Sequence, residues 1–414
     1  MRLGDVANAS AAEFGKPLDG VRVLALEQMQ ALPFGTQLLA RLGAEVVKVE
    51  SPHGGDSGRT GLPAFTDAHG AAVGATFSRN NLNKRSVTVD LKSQRGRALV
   101  LDLAPRFDVF AQNFKAGAMS RLGLGYDDVA AVHPACVYVS ISGFGTSASS
   151  PYDAWSAYAA IVEAMCGLYD FTFADTQPPV PSPMGGLGDV STALFAVIGV
   201  LAALRHRERT GLGQHVDVAM LDAMVSMGDV VPNLWSLGVD RGGARSDIIL
   251  DSFRAADGWF VVQVVREHQF SRLAALVGHE EWVSDPRFST RHGWAANLEP
   301  VIRPALEKWA SSMTRVSACA ALSDAGIAAG PCFQPAEVVR DPHVAAHDML
   351  VEHPRHDGDE QPVLIPGNPI KMSRVAEGPE TPLPGLGEHT DAVLSSELGL
   401  SPDELASLRA DGVI

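Results

Sequence analysis

The chain has 414 residues, of which 46% are hydrophobic and 20% charged, a composition typical of a globular protein. This length allows two domains with sizeable cores. The net charge of −15 argues against nucleic-acid binding. We expect a cytoplasmic protein that does not bind membranes, because the N-terminus lacks the apolar segment of a secretory signal and no apolar run spans a bilayer. The four cysteines form no CxxC pair, which fits a reducing compartment.

Apolar, β-branched runs alternate with helical patterns over the first 220 residues. The periodicity predicts strands at 20–26, 44–50, 86–91, 108–111, 137–142 and 214–220, and helices at 34–42, 95–104 and 190–205. Strands that alternate with helices at this interval predict βαβ units and a mainly parallel sheet. The fold class is therefore α/β.

The pattern changes near residue 225. Two β-rich arms at 253–265 flank Asp257-Gly258, which is a hairpin signal, and helical segments follow. We predict a large domain over 1–224 and a smaller α+β domain over 225–335. The segment 336–414 begins rich in proline and glycine and ends on a short helix at 402–409.

Several common site motifs are missing from the sequence. The first strand-to-helix turn has no glycine before Gly35, whereas a dinucleotide-binding turn needs glycines close to the pyrophosphate. There is no P-loop and no GxSxG motif. His343 and His347 could share one helix face, but no HExxH motif or cysteine partner accompanies them. We expect no metal and no permanently bound cofactor.

One glycine-rich segment has more chemical potential. Gly185, Gly186 and Gly188 lead into Asp189 at the start of a wholly apolar helix. Unpaired backbone N–H groups at a helix N-terminus can hold an anion, and the glycines leave room for a bulky thioester. A catalytic carboxylate fits this pattern, and so does an ordinary helix-capping aspartate.

Basic residues lie at the ends of the predicted N-terminal elements. Each could contact a phosphate or be a solvated surface cation: Lys84, Arg85, Lys92, Lys115 and Arg121. Asn113-Phe114 follows a predicted strand and could hold an adenine or start a turn.

An ordered set of segments resembles the class III CoA-transferase family, which includes formyl-CoA, carnitine and dicarboxylate CoA-transferases and the α-methylacyl-CoA racemases. The resemblance covers residues 18–414. Its segments are PLDGV at 17–21, LGAEVVKVE at 42–50, NKRS at 83–86, QNF at 112–114, RLG at 121–123, GD at 188–189, RTGLGQ at 209–214 and LGEHT at 386–390.

The resemblance implies a role for each matching residue. Asp189 matches the catalytic aspartate, which would form a mixed anhydride and then a thioester with CoA. The thiol end of CoA would lie on Gln28, Met29, Gln30 and Ala31, and its nucleotide half on Val89, Lys92, Asn113, Phe114, Arg121 and Leu122. Tyr152, Gly185 and Gly186 would belong to the active-site loop, and the amides of Gly185, Gly186 and Gln30 are candidate oxyanion donors. We expect the helix N-terminus to keep the Asp189 carboxylate ionised.

The resemblance also implies an architecture and partners. A large Rossmann-like domain would have its parallel sheet built from both chain ends, so that 336–414 returns to it, and two chains would interlock into a homodimer. CoA is then a substrate, and the other partners are an acyl-CoA and a small carboxylic acid.

Two departures from the family pattern narrow the function. Racemases carry a Gly-His-Asp motif, and the matching residues here include Tyr152-Asp153, which lack that histidine. The glycine run of formyl-CoA transferases is reduced to Gly242-Gly243, which disfavours formate and oxalate as substrates. The alternatives are a racemase-like isomerase and a non-catalytic CoA-binding homologue. Arg245, Arg254 and Arg266 are candidates to pair with a second substrate carboxylate.

Overall fold

The computed structural model describes residues 1–169, 178, 180–228, 233–239 and 247–414. Gly242, Gly243 and Arg245 lie outside the described residues. Contacts divide the chain into two units. The first comprises Met1–Tyr169, Val180–Gly228 and Pro342–Ile414, and the second is made mainly of Asp229–Asp341.

A six-stranded parallel sheet is the centre of the first unit, as the alternating pattern predicts, with strand order β5-β2-β1-β6-β7-β8. Its strands are β1 (Arg22–Leu26), β2 (Glu45–Glu50), β5 (Lys84–Thr88), β6 (Val109–Gln112), β7 (Val137–Ser142) and β8 (Gln214–Ala219). In register, Val23 pairs with Val46 of β2 and with Val109 of β6. The predicted strands are confirmed to within two residues at most ends.

Helices cover both faces of this sheet. Those of the first unit up to residue 228 are α1 (Ala31–Arg41), α2 (Ala75–Asn80), α3 (Gln94–Leu103), α4 (Ala118–Arg121), α5 (Tyr126–Val132), α6 (Ala159–Met165), α7 (Leu187–Thr210) and α8 (Met220–Met227). Val23 and Ala25 enter one apolar core while Leu24 and Leu26 enter the other, so both faces of β1 are buried. This two-sided burial explains why the strands are continuous apolar runs.

The C-terminal segment returns to the first unit as helices α14 (Pro342–Ala346), α15 (Thr390–Leu398) and α16 (Pro402–Ala410), and as a hairpin of β12 (Leu350–His353) and β13 (Val363–Pro366). Thr390 Oγ1 accepts the backbone N–H of Thr88 at 3.0 Å, so this tail is anchored at the β5 edge. The prediction that both chain ends build the parallel sheet is wrong for the described residues, because all six strands lie within 22–219. The tail packs onto the core without adding a strand.

The second unit has its own sheet and core. Strands β9 (Ile249–Ala255), β10 (Gly258–Val264) and β11 (Ala328–Pro331) are antiparallel, and β9 and β10 form the predicted hairpin. The helices are α9 (Glu267–Leu276), α10 (Arg291–Ala296), α11 (Arg303–Ala310), α12 (Arg315–Asp324) and α13 (Pro335–Val338). A small hairpin of β3 (Ala64–Thr66) and β4 (Ala72–Gly74) belongs to the first unit.

Helix α7 is the long apolar helix that the sequence predicts. Among the described residues it has the length and hydropathy to cross a membrane, and half of its most apolar window is buried inside the protein. A core helix has these same properties. Its first turn carries Asp189.

Candidate active site

The site begins where the order of the sheet reverses. Strands β1 and β6 are neighbours, and their crossovers run to opposite sides, so the segments after Leu26 and Gln112 meet at the carboxyl edge. There the backbone N–H of Gln28 donates to Asn113 Oδ1 at 3.0 Å, and Asn113 Nδ2 donates to the carbonyl of Gln28 at 2.9 Å. The Asn113 amide therefore fixes the turn, and both of its ends are already engaged.

Paired charges support the same turn from below. The backbone N–H of Met29, a residue at φ 62°, donates to Asp56 Oδ1 at 2.9 Å. Lys48 Nζ lies 2.8 Å from Asp56 Oδ2 and donates to the carbonyl of Glu27 at 3.1 Å. Lys84 Nζ lies 2.7 Å from Glu27 Oε1. These four charged side chains are fully buried, and they hold Met29 in a conformation that L residues seldom adopt.

The ionisation of this cluster follows from its pairing. Burial alone would raise the pKa of Asp56, but Lys48 and the N–H groups of Met29 and Gly58 lower it. Burial alone would lower the pKa of Lys48, but the surrounding carboxylates raise it. We conclude that the Lys48–Asp56 pair is charged.

The first turn of α7 brings Asp189 next to Gln30. Gln30 Nε2 donates to the carbonyl of Gly185 at 3.0 Å. A methyl group at Gly186, whose φ is 127°, would lie 1.8 Å from Gln30 Nε2 and 3.4 Å from Asp189 Oδ2. The backbone conformation therefore favours glycine at Gly186, and the Gln30 side chain would have to move to admit a larger residue.

Asp189 has a raised pKa. Burial raises it from 3.8 to about 6, the neighbouring Glu163 carboxylate adds to the rise, and Arg79 opposes it. The expectation that Asp189 is ionised at neutral pH stays a prediction: a pKa of about 6 still leaves the carboxylate mostly ionised at pH 7, although the pKa is raised and not lowered. Glu163 Oε1 accepts the N–H of Gly188 at 2.9 Å, and the described residues offer no hydrogen bond to the Asp189 carboxylate that would offset the effect of burial on its pKa.

A cavity of about 430 Å³ opens between these elements. Seven of the predicted residues line it: Gln28, Met29, Gln30, Ala31, Asn113, Phe114 and Asp189. The rest of its wall is largely apolar or aromatic and includes Ile141, Phe144, Trp155, Tyr158 and Met220. Lys115 also lines the cavity, and its Nζ donates to the carbonyl of Ala154 at 2.7 Å.

Other predicted residues lie outside the cavity lining. Val89 is 1% exposed and Leu122 packs against the same core, so neither side chain is directed to solvent. Lys92 and Arg121 are exposed cations. The Tyr152 ring packs at a tilt against Phe144 and Trp155, with ring centroids 5.4 and 4.9 Å away. The CoA-binding roles of these residues remain predictions.

The predicted basic residues differ in burial and in pairing. Lys84 belongs to the buried cluster, and burial lowers its pKa to about 8. Arg85 pairs with Glu45 at 2.7 Å. Both are therefore structural, whereas the exposed Lys92 and Arg121 remain available to a ligand.

Sequence reasoning missed Arg79, Asp56 and Glu163. A charged residue inside an apolar pattern was the available signal: Lys48 interrupts the β2 run and Glu163 interrupts α6. In the second unit, the Arg254 guanidinium lies 5.5 Å from the Trp259 ring centroid, and the pairing of Arg254 or Arg266 with a substrate stays a prediction. No group of three or more metal-ligating side chains occurs among the described residues.

The chain is similar to known proteins over nearly its whole length. Residues 18–390 match the model of CoA-transferase family III. The chain is 34% identical to a formyl-CoA:oxalate CoA-transferase of Streptomyces coelicolor, over 96% of this chain and 99% of the relative. It is 33% identical to a succinyl-CoA–D-citramalate CoA-transferase of Chloroflexus aurantiacus, over 96% of this chain and 98% of the relative.

A solved structure is similar over the same extent. The crystal structure of a CaiB/BaiF family protein from Brucella suis superposes with a TM-score of 0.80 at 33% identity, covering 92% of this chain and 99% of that one. The chain belongs to CoA-transferase family III, a family of transferases. The predicted family is thereby confirmed.

Proposed function

We propose that this protein transfers CoA from an acyl-CoA to a small carboxylic acid, with Asp189 as the covalent nucleophile. The observation that carries the proposal is the Asp189 carboxylate, which lines the cavity at the sheet's switch point and has its pKa raised to about 6. Perturbed carboxylates in such clefts are candidates for catalysis. The related CoA-transferases support the reaction class, and their names pair CoA donors with oxalate or D-citramalate.

The proposed chemistry balances without a cofactor. Asp189 attacks the donor thioester carbonyl, the C–S bond breaks, and CoA leaves as a thiolate while a mixed anhydride forms. The thiolate attacks the aspartyl carbonyl, which releases the first acid as a carboxylate and leaves an aspartyl-CoA thioester. The acceptor carboxylate then attacks this thioester and releases the thiolate. Attack of the thiolate on the acceptor carbonyl of the new anhydride gives the product and frees Asp189.

Each step passes through a tetrahedral oxyanion that needs a donor. Gln30 and Gly186 are best placed, because the Gln30 side chain crosses Gly186 beside the Asp189 carboxylate. A raised pKa still leaves Asp189 mostly ionised above about pH 6, and a more basic carboxylate is a better nucleophile. CoA is a substrate of this reaction.

The alternative, a racemase-like isomerase, needs two acid–base groups on opposite sides of an α-carbon. Tyr152 occupies the position of the family's histidine, and its ring packs on Phe144 and Trp155. A phenol with a pKa near 10 is a poor base at neutral pH. A non-catalytic homologue is disfavoured because Asp189 is present with its glycine approach.

Trapping of the intermediate tests the proposal. After incubation with an active acyl-CoA donor and quenching with hydroxylamine, we expect a hydroxamate at Asp189 in the peptide mass spectrum. Asp189→Asn should lose the adduct and at least roughly a thousand-fold in kcat while still binding CoA, because the amide keeps the shape but is no nucleophile. A fully active Asp189→Asn enzyme without deamidation would refute the mechanism, and rapid α-deuterium uptake from heavy water would favour the isomerase.

We also propose a homodimer in solution. Leu194, Ile198 and Leu201 form an apolar stripe on α7, with exposed fractions of 45%, 62% and 37%. Exposed apolar stripes of this kind are typical of interfaces between subunits. Light scattering should give about twice the 43.7 kDa chain mass, and a stable folded monomer would rule out an obligate dimer.

A further inference from the structure

Glu163 is a buried carboxylate that the proposed chemistry does not use. It lies in α6, is 2% exposed, and interrupts the apolar sequence AAIVEAM. A buried carboxylate is costly unless its oxygens are satisfied. The contacts of the Glu163 carboxylate therefore indicate its role.

Both carboxylate oxygens of Glu163 are engaged. Oε1 accepts the N–H of Gly188 at 2.9 Å, and Oε2 accepts the hydroxyl of Tyr169. Gly188 directly precedes Asp189 in the first turn of α7, whose capping residue Gly186 has no side chain. Glu163 thus supplies from another helix the acceptor that a capping side chain would supply.

The two helices are in close contact at this point. A methyl group at Gly188 would lie 2.9 Å from Val162 Cγ2 and 3.1 Å from the Ala159 carbonyl oxygen. This close approach of α6 sets the position of Glu163 relative to the start of α7. The Glu163 carboxylate is therefore a fixed charge close to the nucleophile.

Arg79 is the opposing charge. Its guanidinium is half-buried, lies 5.6 Å from the Phe34 ring centroid, and forms no ion pair within the described chain. The Gln37 side chain donates to the Arg79 carbonyl at 2.8 Å and so fixes its backbone. A methyl group at Gly35, the residue after Phe34, would lie 3.4 Å from the Ala193 carbonyl oxygen of α7, so α1 packs closely on α7 here. Arg79 is thereby held on the α1 side of the helix that carries Asp189.

Resting on the proposed function, we propose that Glu163 is a positioning residue for the nucleophile. Its carboxylate takes the helix N-terminal N–H of Gly188 and presents a like charge to Asp189, while Arg79 limits the effect. Asp189 is then kept without a backbone donor, which makes its carboxylate more basic and more nucleophilic.

Other charged or titratable groups on elements around α7 are Arg41 on α1, His215 and Asp217 on β8, Asp222 on α8, and Lys115 and Asp153 in the cavity wall. Of the described residues, Glu163 and Arg79 are those whose charges act on the ionisation of Asp189. Removing the charge of Glu163 and removing the charge of Arg79 should therefore shift the pKa of Asp189 in opposite directions.

The test is the pH profile of kcat/KM for CoA transfer, measured between pH 4.5 and 8.5 with full-length protein. Glu163→Gln keeps an acceptor for Gly188 but removes the charge, so its acid limb should move to lower pH by about one unit. Arg79→Gln should move the limb to higher pH, and Arg79→Lys should restore it. Glu208→Gln, an exposed change at the far end of the same helix, should leave the limb in place.

A purely structural role for Glu163 would lower kcat or the melting temperature without moving the limb, and that result would overturn the inference. If Glu163→Gln does not fold, Arg79→Gln alone decides, because an unmoved limb there contradicts the charge balance. Hydroxylamine trapping at Asp189 in the wild-type enzyme distinguishes a failure of this inference from a failure of the proposed function. If the hydroxamate forms at Asp189 but the acid limbs of the variants do not move, this inference alone is refuted. If the hydroxamate does not form, the proposed function is refuted as well.

Discussion

Two groups of charged side chains lie next to the Gln28–Ala31 turn. Below the turn, Asp56 is paired with Lys48, and its pKa is lowered. In the second group, Asp189 is influenced by the like charge of Glu163 and the opposite charge of Arg79, and its pKa is raised to about 6. Burial alone would raise the pKa of both carboxylates, so the opposite net shifts arise from the partners. The Lys48–Asp56 pair fixes the backbone of the turn, whereas Asp189, whose charge is poorly compensated, has the more basic and more nucleophilic carboxylate.

The largest effect on stability should come from unpairing the first group. Lys48→Met leaves Asp56 buried without its cation, while Glu27 keeps Lys84, so we expect a loss of about 3–5 kcal/mol in the free energy of unfolding at pH 7. Urea denaturation measures it. Lys308→Met, a change of the same type at an exposed position, is the control.

The pH dependence of this loss has a definite sign. The folded pKa of Asp56 is below its ordinary value, so its stabilising contribution is complete above that value and disappears as the pH falls through the lower folded pKa. The penalty of Lys48→Met should therefore shrink in acid. An equal penalty at pH 7 and pH 3 would contradict the ion-pair account.

Removing the charge of the second group should stabilise the protein. Asp189 has a folded pKa of about 6 against 3.8, so the native state holds its proton more tightly and ionisation at neutral pH is unfavourable to folding. Asp189→Asn should gain on the order of 2 kcal/mol at pH 8, less below pH 6, and nothing near pH 3. Thermal unfolding across this range measures it, with the exposed Asp222→Asn as the control. A gain that does not depend on pH would rule out the electrostatic cause.

The smallest effect is expected from exposed cations, which should change the affinity for CoA and not the stability of the fold. Lys92 and Arg121 are solvent-exposed, unlike Lys48 and Lys84, and each should contribute about 1 kcal/mol to CoA binding if it contacts a phosphate. Calorimetry of the two alanine variants should show weaker binding and a reduced dependence on salt. Arg95→Ala, which removes an exposed arginine already paired with Asp411, is the matched control. Unchanged affinity in both variants would remove these residues from the site.

The sequence predicted the parallel sheet because strands buried on both faces are continuous apolar runs, as in Val23 to Leu26. It also indicated Asp189, since glycines before an apolar helix are a local pattern. The return of the C-terminal segment to the first unit came from the resemblance, and its packing as helices without a sheet strand came from the structure. Periodicity indicates how a segment is buried, but it does not indicate whether that segment pairs with an edge strand of the sheet.

The residues themselves determined the chain's family, its α/β class and the nucleophile candidate, because these depend on local pattern and on residue identity along the chain. The tertiary structure alone decided the ionisation of that candidate. Glu163 and Arg79 are 26 and 110 positions before Asp189 in the chain, and nothing in the local sequence around Asp189 reveals either of them. Electrostatic interactions depend on distance through the folded protein and on burial, so the pKa of Asp189 follows from helix packing that a linear pattern does not encode.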